Sequence, residues 1–283
     1  MTTFRQLVVN ADDLGLTAAV NDGIFDAHEL GILTSASLFA NAPATGDAIR
    51  RARARTSLGV GAHLTLVDGT PTLARHAIPT LVTDAGRFRR SWRPFIVACL
   101  QRQVSLDEVE RELSAQIERL IDAGIRLTHL DTHKHVHLYP PVFAVVARLA
   151  ARFGIPVVRV PYEPGSWLNG ALWFWAQRNY RVASALGLRT PHFIGRIATG
   201  VLTRQTLHAM LRAAPPGVTE LMVHPGYVDE ALRRLPTRLV ESRLEEVALL
   251  CSTATRALLV GERIQLVRHD LARASRRSLR HVS

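Results

Sequence analysis

Four histidines and one aspartate fall within nine residues, His129-Leu130-Asp131-Thr132-His133-Lys134-His135-Val136-His137, out of 12 histidines in the chain. Packing alone does not call for such a density of polar, titratable rings. Neutral imidazole is the commonest metal-ligating side chain near physiological pH. With one carboxylate it makes a His/His/Asp set suited to Zn²⁺ or another first-row divalent cation. Three protein ligands leave positions for water and substrate, the pattern of a catalytic rather than a structural metal site. Spacing does not choose among His133, His135 and His137, because a strand-to-helix loop can aim any of them inward. Strand alternation does place His129, Asp131 and His133 on one face.

Other polar residues end apolar runs. Asp12-Asp13 closes Leu7-Val8-Val9-Asn10-Ala11. Two adjacent carboxylates at a strand end are costly unless a cation or hydrogen bonds hold them, although helix capping by one of them is the simpler use of aspartate there. His63 follows Gly61-Ala62, Arg159 ends Pro156-Val157-Val158, and His224 ends Leu221-Met222-Val223. Taken one by one, a histidine in such a place is a buried or capping residue at least as often as a ligand.

The elements that must carry these residues alternate in type. Short apolar runs near 6–11, 34–40, 58–64, 126–131, 156–160, 192–197, 219–223 and 263–268 read as strands. Segments of helical periodicity lie near 17–31, 44–55, 105–123, 140–153, 203–213, 237–259 and 270–280. That alternation predicts βα units with a largely parallel sheet, an α/β fold of the distorted (β/α) barrel kind with seven or eight strands. In such barrels the carboxyl ends of the strands form the active-site face, so Asp12, Asp13, His63, the His-rich run, Arg159 and His224 are expected to converge. The span 1–283 reads as one domain with two inserts. One, about 67–95, is a Pro/Thr/Gly/Arg-rich long loop. The other, 161–190, carries Trp167, Trp173, Phe174, Trp175 and Tyr180. Loops of this length are usually lids or binding elements.

With 47% hydrophobic and 21% charged residues the composition is that of an ordinary globular chain. The net charge of +11 favours anionic surfaces, yet the basic residues are scattered rather than gathered into a nucleic-acid stripe, so no nucleic-acid partner is expected. Peripheral contact with an anionic membrane stays open. Cys99 and Cys251 have no ligand spacing and read as buried thiols in a reducing compartment. No secretory signal opens the chain, which gives a cytoplasmic expectation, with the inner membrane surface as a second place. Oligomeric state is not legible.

Together, Val9-Asn10-Ala11-Asp12-Asp13-Leu14-Gly15, Gly61-Ala62-His63, the run from His129 to His137 and Met222-Val223-His224-Pro225 resemble the YdjC/ChbG family of carbohydrate deacetylases. The match spans residues about 6 to 227. The resemblance implies a fold similar to the polysaccharide deacetylases and removal of an N-acetyl group from an N-acetylglucosamine-type sugar with a divalent cation, Zn²⁺ or Mg²⁺. Carried over by position, it implies that Asp12 is the base and that Asp13, His63 and His133 bind the metal. It further implies that His224 is the general acid and that Arg159 orients the base. The aromatic insert and Thr34-Ser35-Ala36-Ser37-Leu38-Phe39-Ala40-Asn41 look like the hopanoid-biosynthesis branch HpnK, implying an N-acetylglucosaminyl hopanoid (bacteriohopanetriol glycolipid) as substrate. Trp167, Trp173 and Tyr227 are the candidate substrate contacts. The rival activities are deacetylation of soluble N-acetylated oligosaccharides and metal-dependent phosphoester hydrolysis, and the rival class is a non-catalytic carbohydrate- or lipid-binding protein.

Overall fold

The computed structural model describes residues 4–163 and 169–272. In chain order the main elements are β1 (Arg5–Leu14), α1 (Ala18–Glu29), β2 (Ser35–Leu38), α2 (Thr45–Arg53), β3 (Gly59–Leu64), α3 (Trp92–Leu100), α4 (Leu106–Asp122), β4 (Leu127–Thr132), α5 (Pro140–Arg152), α6 (Asn169–Ala185), β5 (His192–Ile194), α7 (Arg204–Ala213), β6 (Gly217–Val223), α8 (Glu230–Arg233), α9 (Ser242–Leu250), α10 (Thr253–Gly261) and β7 (Ile264–Leu266).

All strand pairs are parallel, in the order β4-β3-β2-β1-β6-β5, with β7 paired to the start of β1. Strands flanked by helices on the outside are buried on both faces and need continuous apolar runs. β1 meets that demand, with Leu7, Val8, Val9 and Ala11 all at 1% exposure or less. The expected strand at 156–160 is reduced to two isolated bridges, Leu130 with Val158 and Val157 with Arg189. Proline at 156 cannot donate to a ladder. Through these bridges the curled sheet continues past β4 toward the segment that enters β5.

Hydroxyl caps set the helix starts. Thr17, Ser105, Thr203 and Ser252 each accept a backbone N–H three residues on. The cap at Ser252 also divides the expected helix 237–259 into α9 and α10. α4 buries Val109, Leu113, Ile117 and Leu120, the four- and three-residue spacing of one helical stripe. Its Glu112 accepts the N–H groups of Thr72 and Leu73 at 2.7 and 2.9 Å, and Glu108 accepts that of Thr80 at 2.8 Å. The first insert is therefore a packed loop that runs into α3, with Leu81 and Phe88 buried beneath it. Most of the expected helix 270–280 lies outside the described residues.

One glycine decides how closely two strands approach behind the site. A Cβ at Gly61 would stand 2.4 Å from two atoms of the His129 ring. That ring is fixed, Nε2 to Ser37 Oγ at 3.0 Å and Nδ1 to Thr128 Oγ1 at 2.9 Å. Gly61→Ala is therefore expected to lower stability by about 1–3 kcal/mol through overpacking, read from urea unfolding midpoints. An unchanged midpoint would show that the ring can swing aside.

Candidate active site

Successive side chains of a strand point to opposite faces, so adjacent aspartates reach one site only if the strand is irregular. The β1–β2 register shifts between Ala11 and Leu14, and Asp13 has φ +70°. This left-handed step brings both carboxylates to the strand's carboxyl end. It is costly for a side chain other than glycine, asparagine or aspartate.

The two aspartates meet different partners. Arg159 grips Asp12 with both arms, Nη1 to Oδ2 at 2.8 Å and Nη2 to Oδ1 at 2.7 Å, and Asn10 donates to Oδ1 at 3.0 Å. Asp13 receives Arg243 on Oδ2 only, at 2.5 Å. Its Oδ1 faces His63 Nε2 at 3.6 Å and His133 Nδ1 at 3.5 Å, and those nitrogens lie 3.4 Å apart. Burial raises both carboxyls, but Arg159 outweighs it at Asp12 and Arg243 with the two imidazoles outweighs it at Asp13, holding each well below the usual carboxylate range.

Three donors each about 2.1 Å from one tetrahedral first-row cation stand about 3.4 Å from one another. The Asp13, His63 and His133 atoms have that spacing and that chemistry, so the set fits a divalent cation. Asp12, Asp13, Asp131, Glu220 and Glu246 are buried with Arg159 and Arg243, and burial raises Glu220 and Glu246 to about 7.

A second ring of residues orients the donors. Asp131 accepts His63 Nδ1 at 2.7 Å, which orients the ring and turns Nε2 toward Asp13, the carboxylate–histidine arrangement of metal sites. Burial would lower the His63 pKa, but Asp131 and Asp13 push it up to about 10: carboxylates that hold a proton this tightly also attract a cation. Asp131 Oδ2 accepts Ser37 Oγ at 2.6 Å and pairs with Arg159 at 2.8 Å. Phe39 stands edge-on to both rings, 4.7 Å from His63 and 5.3 Å from His133, and gives the pair an apolar wall. A second carboxylate–histidine group, Asp12, His63 and Asp131, also brings its donor atoms within 4.8 Å of one another. There the Arg159 guanidinium supplies the positive charge.

Of the histidines among which spacing does not choose, His133 faces the cluster. His137 instead accepts Thr132 Oγ1 at 2.6 Å and donates to the Arg159 carbonyl at 2.8 Å, and burial pulls its pKa down to about 4. His135 sets its ring edge-on to Phe193 at 5.7 Å. His129 lies deeper, against His269 at 4.1 Å. His224 is buried beside the cluster. Burial draws its pKa down to about 4 against the opposing pull of Asp13 and Asp12. The loop beyond it is tied to α1 by Tyr227, whose hydroxyl donates to Asp26 at 2.7 Å and so turns to α1 rather than to the cluster. Trp173 stands exposed on α6 beside Phe174, and Trp167 lies outside the described residues.

Sequence reasoning missed Ser37, Glu220, Arg243 and Glu246. Glu220 left a signal, a carboxylate inside the apolar strand Val218-Thr219-Glu220-Leu221. It is buried and bonds Arg159 Nε at 2.8 Å. Arg243 left none, because arginine in a charged helical turn looks solvated.

A family model described as YdjC-like protein matches residues 6–260. A carbohydrate deacetylase of Brevibacillus brevis is 35% identical over 264 residues, 93% of this chain and 97% of its own. Another, from Halalkalibacterium halodurans, is 35% identical over 87% of this chain and 94% of its own. A crystal structure from Enterococcus faecalis V583, of a protein named for cellobiose-phosphate cleavage, superposes with a TM-score of 0.81 at 27% identity, covering 95% of this chain and 100% of that one.

Proposed function

The chain belongs to the YdjC-like family, and from that premise we propose that it hydrolyses the N-acetyl group of an N-acetylglucosamine-type sugar with a divalent cation held by Asp13, His63 and His133. Carbohydrate deacetylation is the activity that its relatives carry in their names. The observation that carries the catalytic assignment is the unequal holding of the two aspartates: Asp13 has one oxygen free toward two imidazole nitrogens, and Asp12 has both oxygens on Arg159.

A cation at this position supplies Lewis acidity, polarising the acetyl carbonyl and lowering the pKa of water. Asp12, kept ionised by Arg159, accepts the proton from the attacking water. His224 hands a proton to the departing amine. Its imidazole rests neutral, so the proton it delivers is the one Asp12 took from the water, passed to His224 before the amine departs. The products are acetate and a free amino sugar.

His133→Ala is expected to lower the metal content of the purified protein several-fold, measured by elemental analysis, with Asp13 and His63 left as an incomplete set. Full occupancy would move the ligand role to another histidine. Product analysis tests the reaction: acetate release supports the deacetylase, and phosphate release would favour a phosphoesterase.

For the substrate we propose an acetylated glycolipid, an N-acetylglucosaminyl hopanoid. Residues 85–104 and 169–190 contain several arginines and neither Asp nor Glu. The helices within them, α3 and α6, expose Trp92, Val97, Leu100, Trp173 and Phe174. Aromatic and aliphatic side chains among unopposed arginines suit the interface of an anionic bilayer. Both helices border the turn that carries His133, and Tyr139 at its end packs on Trp175 at 5.3 Å. No helix among the described residues is long and apolar enough to cross a membrane. Replacing Trp173 and Phe174 by serine should impair action on a lipid-linked substrate and spare a soluble N-acetyl sugar. Equal losses on both would favour the soluble-oligosaccharide reading, which the carbohydrate deacetylase relatives also suit.

A further inference from the structure

Arg243 and Glu246 reach the cluster from α9 rather than from the sheet. One turn of this helix carries Arg243 and Glu246, three residues apart, and both are buried at 2% exposure or less. Arg243 reaches Asp13 Oδ2 at 2.5 Å, the Leu239 carbonyl at 3.0 Å and the His224 carbonyl at 3.5 Å. Glu246 accepts the backbone N–H of His224 at 2.5 Å. A single helical turn therefore holds both the carboxylate assigned to the cation and the backbone of the residue assigned as acid.

A carboxylate free at both oxygens can give a cation either one of them or both. We propose that Arg243 is a positioning residue that occupies Oδ2 of Asp13, so that Asp13 offers one oxygen to the cation and a coordination position stays open for the acetyl carbonyl or for water. The inference rests on the metal-site reading above. Arg243 is itself held in place, since its Nε donates to the Leu239 carbonyl in the segment just before α9 and Glu246 lies one turn on from it. Arg159 performs the contrasting operation on Asp12, where both oxygens are taken.

The test uses the purified full chain, stripped of metal and reloaded with Co²⁺, whose visible bands are intense at four-coordinate sites and weaken as the coordination number rises. Wild type, Arg243→Met and Arg243→Lys are compared. In Arg243→Met, Asp13 is expected to turn its second oxygen to the cation, so the band weakens severalfold. The Co²⁺ dissociation constant should change by less than about ten-fold, because the added bond offsets lost orientation that otherwise costs about 10- to 100-fold. Turnover number should fall with KM little changed. Lysine, which keeps a cationic donor for Oδ2, should restore the wild-type band. If the methionine variant does not fold, Arg243→Leu removes both the charge and the donor for the same reading. An unchanged or more intense band in the neutral variant overturns the proposal whatever happens to affinity. A wild-type protein that takes up no Co²⁺ overturns the metal-site reading itself, and the proposal with it.

Discussion

Asp12→Asn is expected to reduce the turnover number by about 10²- to 10⁴-fold, the usual worth of a positioned general base, while metal content stays at the wild-type level. Asparagine has the size of aspartate but not its proton affinity. Asp13, His63 and His133 are untouched by the change, and Arg159 keeps Asp131 and Glu220 as partners at 2.8 and 2.6 Å, so the site does not lose its framework. One consequence separates this variant from a simple loss of charge. The asparagine amide would point an N–H at an Arg159 N–H, where the native carboxylate accepted at both oxygens; the side chain should therefore tilt, which adds to the loss in turnover without touching the cation. Steady-state kinetics on an N-acetylated sugar, with elemental analysis of the same sample, gives the answer. Turnover within ten-fold of wild type would remove Asp12 from the base role, and a loss of metal would make it a ligand.

Much of this site was legible in the sequence because barrel topology does the gathering. Each of Asp12, Asp13, His63 and Arg159 follows an apolar run that becomes a strand or a strand-like bridge, and strand carboxyl ends share one face. What the sequence could not supply was local backbone. Nothing in Ala11-Asp12-Asp13-Leu14 announces φ +70° at Asp13, the step that lets neighbours share a site. Within the His-rich run, Lys134 and His135 have φ +53° and +54°, and those turns separate His133 from His135 and His137. A period-2 reading carried past Thr132 cannot foresee them. The partners from outside the strand ends were hidden for another reason. Ser37 is an unremarkable serine in a small-residue strand, and Arg243 sits in Glu241-Ser242-Arg243-Leu244-Glu245-Glu246, a pattern that ordinarily faces water. Only the packing of α9 against α1 turns that arginine inward. The aromatic insert shows the converse: its composition was plain, but which aromatics stand exposed depended on the face α6 presents.

Arg159→Met should cost about 3–5 kcal/mol of stability near neutral pH, the range for breaking a buried ion pair by removing one partner. The side chain is 1% exposed and meets three carboxylates, Asp12, Asp131 and Glu220. Methionine fills much of the space but leaves all three without their shared cation, in surroundings where water does not replace it. The pH dependence has a definite sign. Burial already raises Glu220 to about 7 even though Arg159 opposes it, so without the guanidinium Glu220 should rise further above its value in the unfolded chain, and Asp12 should lose the pull that holds it low. A group with a raised folded pKa contributes stability that is present below the unfolded pKa and lost as pH climbs through the folded one. The deficit of the variant should therefore be smaller at pH 5 than at pH 8. Arg159→Lys, with one ammonium unable to bridge three carboxylates, should fall between the two proteins. Urea unfolding of metal-free samples at both pH values measures this, and a deficit that is small or equal at the two would mean that Asp12, Asp131 and Glu220 find other partners. The same argument explains why Arg159 lies under the candidate site: without a central cation the fold could not hold Asp12 ionised beside Asp13, and the proposed division of work between the two aspartates depends on that.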